Sequence, residues 1–459
     1  MTLVQSPEAG RSSREGPAAP QSAFMMVFSF AAAIGYLCSL TYAMAYASYS
    51  VWGALLLIPV LFAITVPLCS MAARHANDPR LGRLLVVAFV LKMLGTLIRF
   101  AVVFDVYDGF GDSGAYDKAG RILATSFRAG HFDTGPGAVS STHFIEVVTG
   151  VVYSVVGSTQ LGGFFVFSWF GFLGLYFFYR AFALAVPHGA HRRYALLVFF
   201  LPSLLFWPSS IGKESWMTLA LGLVAYGAAR IFSRERGGFI FLGLGLWAAN
   251  AVRPHMALLI LAGLLPAYVL RKAPSRFAEK KQSLKIVGVV TLVLCIVFVL
   301  GKTEQRFGVT SADSASRTAV FDNTETSTTQ GGSSFTPSRV HSPVQLPMAL
   351  ATVLFRPFPW EASTTQGIVS AFEGAFLILL SLRSFRRLAR IPKELISTPY
   401  IVFAVIYTLA FIYAFSTIGN FGILVRERVQ VYPLFVALLC LPKPILKKGT
   451  TAVRRSYVR

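Results

Sequence analysis

Long apolar runs separated by short polar breaks dominate the chain, most plainly over Phe24–Ala47, Val51–Ser70, Leu161–Val186 and Tyr400–Phe415. Each run approaches the roughly 20 residues that carry a helix across about 30 Å of hydrocarbon. The pattern predicts an all-α polytopic membrane protein of about twelve transmembrane helices. They fall near 24–47, 51–72, 83–104, 160–184, 194–209, 215–232, 239–252, 255–270, 286–301, 367–382, 398–417 and 428–442. Several are shorter than a full span and borrow flanking residues. Segments 143–157 and 345–358 are apolar but bracketed by polar groups, as expected of helices lying along the outer membrane surface. Between Tyr116 and Phe127, the positions Ala119, Ile122, Leu123 and Phe127 recur at three and four, which predicts an amphipathic juxtamembrane helix.

The same pattern divides the chain. Residues 1–22 form a polar tail, expected to be disordered, retained and cytoplasmic, because no short apolar core with a cleavage site follows it. A membrane domain over 23–301 contains an outer catalytic loop at 105–159. A Ser- and Thr-rich outer loop over 302–344 reads as a flexible linker or as a lid that closes over an acceptor. C-terminal membrane helices over 345–442 and a basic cytoplasmic tail over 443–459 complete the chain.

Composition excludes a soluble globular domain, since 14% of the 459 residues are charged and 55% are hydrophobic, whereas soluble domains carry about 25% charged residues. The net charge of +22 invites a nucleic-acid reading; its distribution refuses it. With the N-terminus inside, the seven inner segments hold 28 of the 42 basic residues and 6 of the 20 acidic ones, leaving 14 of each elsewhere. The whole excess lies on one side, as positive-inside topology requires, and faces anionic headgroups. Treating 143–157 as a span would reverse Arg192 and Arg193 and break the asymmetry. The four cysteines lie in apolar runs and offer no zinc spacing.

Polar chemistry gathers after the third span, where Asp105, Asp108 and Asp112 fall within eight residues beside a membrane helix. Crowded carboxylates hold a proton or cation more tightly, which suits a general base and leaves room for a divalent cation. Asp112 and Ser113 also stand where an N-cap of the amphipathic helix would be, so capping is the plainer account. Other candidates are His143 and Glu146, then Lys213 and Glu214, which read as an ion pair or as ligand contacts. Arg253 and His255 flank Pro254 at a helical hairpin turn, which aims Arg253 at the outer rim, where it either snorkels to headgroups or meets ligand. Arg356 and Trp360 lie at an interface, with Trp360 reading as a belt anchor ahead of a sugar-stacking platform, and Arg426 and Arg428 close the last outer loop. Arginine suits a diphosphate because its planar fork donates two parallel hydrogen bonds. Lys92 and Arg99, the most buried charges, share a helix that shows no obvious intramembrane acid.

The run Asp112-x3-Tyr116-x2-Ala119-x3-Leu123 resembles the first-loop signature of the GT-C superfamily of membrane glycosyltransferases, which includes protein O-mannosyltransferases and aminoarabinose transferases. His143-Phe-Ile-Glu146 through Tyr153 to Gly157 is similar to that family's second juxtamembrane helix, without its usual prolines. The stretch Pro202 to Ser215 looks like the outer loop that follows. The likeness covers roughly 105–235. It implies a lipid-linked sugar donor, with Asp112 as catalytic base and Asp105, Asp108, Tyr116 and Arg121 in the same loop. Ser113 stands where the family often has a second acid. The resulting expectation is a plasma-membrane transferase with an extracytoplasmic site. It would move a sugar from a polyprenyl phosphate to a hydroxyl on a glycan, lipid or protein acceptor, with membrane lipids and no nucleic acid as further partners. A polysaccharide polymerase or O-antigen-ligase-like enzyme, and a secondary transporter, are the alternatives.

Overall fold

The computed structural model describes residues 20–271, 286, 288–297, 299, 325–329 and 333–443. The tails expected over 1–22 and 443–459, and most of the linker or lid expected over 302–344, lie largely outside these residues. Pro20–Ser22 already belong to the first helix.

Helices make up the described chain. In order they are α1 (Pro20–Tyr46), α2 (Tyr49–His75), α3 (Pro79–Ala101), α4 (Asp112–Arg128), α5 (Thr142–Val156), α6 (Gln160–Ala185), α7 (His191–Phe200) and α8 (Pro202–Phe206). Then come α9 (Lys213–Ser233), α10 (Gly238–Val252), α11 (Pro254–Val269) and α12 (Gly288–Val297). The last set is α13 (Leu346–Phe355), α14 (Thr365–Arg383), α15 (Phe385–Leu388), α16 (Ile391–Ser397), α17 (Pro399–Phe415), α18 (Phe421–Glu427) and α19 (Tyr432–Leu438). By length and composition, 5 helices among the described residues can cross a membrane: Tyr49–His75, Pro79–Val106, Gln160–Ala185, Lys213–Ser233 and Thr365–Arg383. A sixth counts if Phe385–Ser397 and Pro399–Phe415, bent by 117° at their break, form one crossing.

The remaining expected spans differ in form. α10 and α11 are apolar helices of 15 and 16 residues, shorter than a full crossing. The span expected near 24–47 is helical as far as Tyr46, and that near 286–301 is helical over its described residues. The segment expected as one span over 194–209 is broken, because a proline disfavours helical geometry in the residue before it. Leu201 accordingly turns extended and Pro202 starts the five-residue α8. Residues 428–442 are likewise a 3-10 turn followed by the short α19.

The interior is built on α6, which packs against α9; α9 also meets α10, and α11 lies against α17. The α6–α9 crossing is close because a Cβ at Gly174 would collide with the Thr218 backbone, and one at Gly222 with the Gly174 carbonyl. Small residues of this kind let two membrane helices approach backbone to backbone.

Two buried charges stabilise the broken α8. Lys92 Nζ donates to the carbonyls of Leu204 and Leu205 at 2.8 and 3.3 Å, at the C-terminal end where cations are favoured. The Glu373 carboxylate accepts from the Ser203 amide at 3.1 Å and from its hydroxyl, in the first turn, where unpaired N–H groups favour an anion. Glu373 is an intramembrane acid that the sequence reading passed over.

The ends of the bundle differ. At one, Arg193 reaches Ser384, Arg387 reaches the Leu441 carbonyl, and Arg390 donates to the Lys443 carbonyl at 2.9 Å. Segments 180–193 and 383–394 and the start of the basic tail therefore share an end, as the charge pattern predicts. The other end carries α4, α5, the 207–212 turn, the α10–α11 hinge and α18.

Candidate functional site

The chain leaves α3 through a wide π-turn over Val102–Val106, and enters α4 through Gly111, whose φ of 129° suits glycine. Asp112 is the first residue of α4 and makes no capping bond, which corrects the N-cap expectation. Its carboxylate faces Arg426 instead, with Nη1 at 3.2 Å from Oδ2 and the Asp112 side chain 58% exposed. Residues 314 positions apart thus meet.

Behind this pair runs a chain of charges. Arg426 Nε lies 3.2 Å from Glu214 Oε1, and the same oxygen lies 3.2 Å from Arg253 Nη2. Arg253 Nη1 also meets Glu427, whose Oε2 accepts from Gln430 Nε2 at 2.6 Å. Arg253 is therefore buried in a double ion pair and not snorkelling at the rim, although it sits in the α10–α11 hinge as expected. Glu214 pairs with these arginines, not with Lys213, which donates to Thr142 Oγ1 at 2.9 Å. Glu214, aided by Glu427 and Asp112, holds the Arg426 guanidinium above the ordinary arginine pKa against the opposing pull of burial. Arg426 is charged at every accessible pH.

Asp112, Glu214 and Arg426 line a cavity of about 360 Å³ together with Arg99, Trp207 and Gln366. Tyr116 is buried behind it and hydrogen-bonds Thr142; burial, with Asp112 and Glu214 nearby, pushes its hydroxyl pKa well above the usual value. The Arg99 guanidinium lies 4.8 Å from both the Phe206 and Trp207 ring centres. Arg99, Gln366 and Glu427 had no assigned role in the sequence reading. An unmatched arginine in an apolar helix was the signal for the first; nothing marked the other two.

The remaining candidates fall outside the cavity wall. Asp105, in the π-turn, and Asp108 are exposed. They do not converge with Asp112, and among the described residues no three His, Cys, Asp or Glu side chains gather as a metal-holding group. Arg121 pairs with Asp117 at 3.0 Å, and His143 Nδ1 lies 3.0 Å from Glu146 Oε2. His255 is half-buried in the first turn of α11.

Arg356 serves as a fastener. It forks onto Glu361, and its guanidinium lies 4.4 Å from the Phe335 ring and 5.2 Å from Phe421. Trp360 is 80% exposed, consistent with an interfacial anchor. Arg428 is fully buried, donating to the Arg356 carbonyl and lying over Tyr432. The described part of the long loop is tied down beside the cavity: Phe335 N donates to Gly419 O at 2.8 Å, and Phe421 N to Ser333 O at 3.0 Å. Over 333–335 the loop is anchored by these two bonds.

No known protein family matches the chain, and neither a curated protein nor a solved structure does so.

Proposed function

We propose that the protein is a membrane glycosyltransferase of GT-C type, which moves a sugar from a polyprenyl phosphate to an acceptor hydroxyl on the extracytoplasmic face of the plasma membrane. In this reading the shorter apolar helices complete about twelve crossings, and both termini are cytoplasmic. The observation that carries it is the meeting of Asp112, from the loop with the GT-C-like pattern, with Arg426 near the far end of the chain. The basic segments at the opposite end of the bundle support the sidedness. Nucleotide sugars are made in the cytoplasm, so a transferase on the other face needs a donor that has crossed on a lipid.

Asp112 suits a general base: its side chain is half open to the cavity, and the Arg426 contact aims it. It takes the proton of the acceptor hydroxyl as that oxygen bonds to the anomeric carbon. The bond from that carbon to the donor phosphate breaks, polyprenyl phosphate leaves with the electron pair, and a single displacement inverts the anomeric centre. Asp112→Asn in membranes supplied with a labelled lipid-linked sugar is the test. Turnover should fall by about 10²–10⁴-fold; retained full turnover would exclude Asp112 as the base.

A transporter is the second reading, favoured by α8, a broken membrane helix with Lys92 and Glu373 at its two ends. Labelled solute uptake into vesicles without any glycan product would select it.

A further inference from the structure

Three carboxylates and three guanidinium groups belong to the charge cluster of the chamber, and they are not evenly matched. Asp112, Glu214 and Glu427 are each contacted by Arg253 or Arg426. Arg99, on the chamber wall, contacts none of them and has no hydrogen bond among the described residues; its Nε is buried and unpartnered. The other basic side chains once eligible to hold an anion are engaged. Arg356 is forked by Glu361, Arg428 is buried against a carbonyl and a ring, Lys92 holds the end of α8, and Lys213 holds Thr142. Glu214 and Asp112 act on the Arg99 charge only through space, with Arg426 opposing them, and aromatic faces offset only part of the cost of a guanidinium at membrane depth. A bound anion would complete the site.

A second cavity indicates what carries the anion. A largely apolar cleft of about 470 Å³ lies between α7–α8 and α14, lined by Leu201, Pro202, Val369, Phe372 and Phe376, with Glu373 also on its wall. It shares both flanking elements with the chamber. Gln366 lines the chamber and Val369 the cleft, one turn apart on α14; Trp207 and Pro202 do the same at the two ends of α8. Five residues of helix rise about 8 Å, a head-to-chain distance for a lipid. Phe372, at 66% exposure, opens the cleft to the hydrocarbon.

We propose that Arg99 is the phosphate-binding residue of the chamber, taking the phosphate ester of a lipid whose chain lies in the α8–α14 cleft. This deepens the transferase reading and rests on it for the ligand class, but it is tested by binding alone, so it stands or falls apart from Asp112 chemistry. The fork of Arg99 points two parallel donors at phosphate oxygens, and the Phe206 and Trp207 rings hold the guanidinium plane.

The experiment is equilibrium binding of a radiolabelled polyprenyl monophosphate to the full chain in phosphatidylcholine nanodiscs. The wild type should bind saturably, and Arg99→Gln should weaken binding by about tenfold or more. Arg99→Lys should retain part of the affinity, since it keeps the charge and loses the fork. Val369→Trp, which fills the cleft and leaves Arg99 in place, should weaken the polyprenyl phosphate and leave inorganic phosphate unaffected. Inorganic phosphate and phosphatidylglycerol should compete at least about tenfold less well. Wild-type affinity in Arg99→Gln would overturn the assignment of the anion site. Equal competition by inorganic phosphate, or indifference to Val369→Trp, would overturn the lipid. Should Arg99→Gln not fold, Arg99→Lys and Val369→Trp decide the matter.

Discussion

Asp112 and Asp117 stand five residues apart on one helix, and their surroundings give them opposite work. Asp112 has one arginine partner and an open side chain at the cavity. Asp117 is 3% exposed and accepts from Tyr153 Oη at 2.6 Å, Gln160 Nε2 at 2.9 Å and Arg121 Nε at 3.0 Å. Its partners come from α4 itself, from α5 and from the start of α6, so it fastens the juxtamembrane pair to the bundle. A carboxylate whose acceptor sites are filled by protein donors is a joint; one with open lone pairs beside a cavity is available to a substrate.

A crossed pair of substitutions would break this comparison if it is wrong. Asp112→Asn should remove transfer by the factor given above while leaving the unfolding midpoint in detergent near that of the wild type. Asp117→Ala should do the reverse first. It leaves the Tyr153 hydroxyl and the Gln160 amide without their acceptor, and each buried donor left unsatisfied costs about 1–3 kcal/mol, whereas Arg121 is open enough to be rehydrated. If the two variants lost stability equally, the division between joint and reagent would fail.

Much of this was legible in the chain, and the unread part has a physical reason. Hydropathy gave the helices, because apolar length is a property of each segment alone. It did not give the break at Pro202 as an internal feature of a span, nor Glu373 as its anchor, because both depend on which helix lies alongside. Residue type gave Asp112, Glu214, Arg253 and Arg426 as candidates, and the fold brings those four together. It equally gave Arg121, Arg356 and Arg428, which hold structure, since the partner that commits an arginine lies far off in sequence, as with the Arg428–Arg356 contact. Asp117 was hidden by its own motif, where the acids before it in the loop looked more reactive.

A milder cut sharpens the same contrast. Tyr153→Phe removes one of three donors to Asp117 and keeps the ring in place. Hydrogen bonds to charged groups contribute about 1.5–3 kcal/mol, so the loss of stability should be near the lower figure and below that of Asp117→Ala. Burial, reinforced by Asp117, lifts the Tyr153 hydroxyl pKa well above the usual range, so this contribution is constant with pH around neutrality. A Tyr153→Phe protein as stable as the wild type would mean that Gln160 and Arg121 suffice.

The smallest effect concerns a third carboxylate, Glu361, which is neither reagent nor deep joint but a surface fastener beside the chamber. Burial pulls its pKa up, while the Arg356 fork and the Phe358 amide at 2.8 Å outweigh it and hold the carboxyl below the usual 4.5. A depressed carboxylate contributes stability that is present above its unfolded value and lost as pH falls through the folded one. The clamp on the 356–361 turn should therefore be intact near neutrality and release below pH 4.5. The check is the unfolding midpoint of the wild type and of Glu361→Gln as acid is added. The gap between them should be open above pH 4.5 and close below it. A constant gap would place the interaction in packing rather than charge. Because Arg356 also stacks on Phe335 and Phe421, the loop edge beside the chamber should loosen with the clamp.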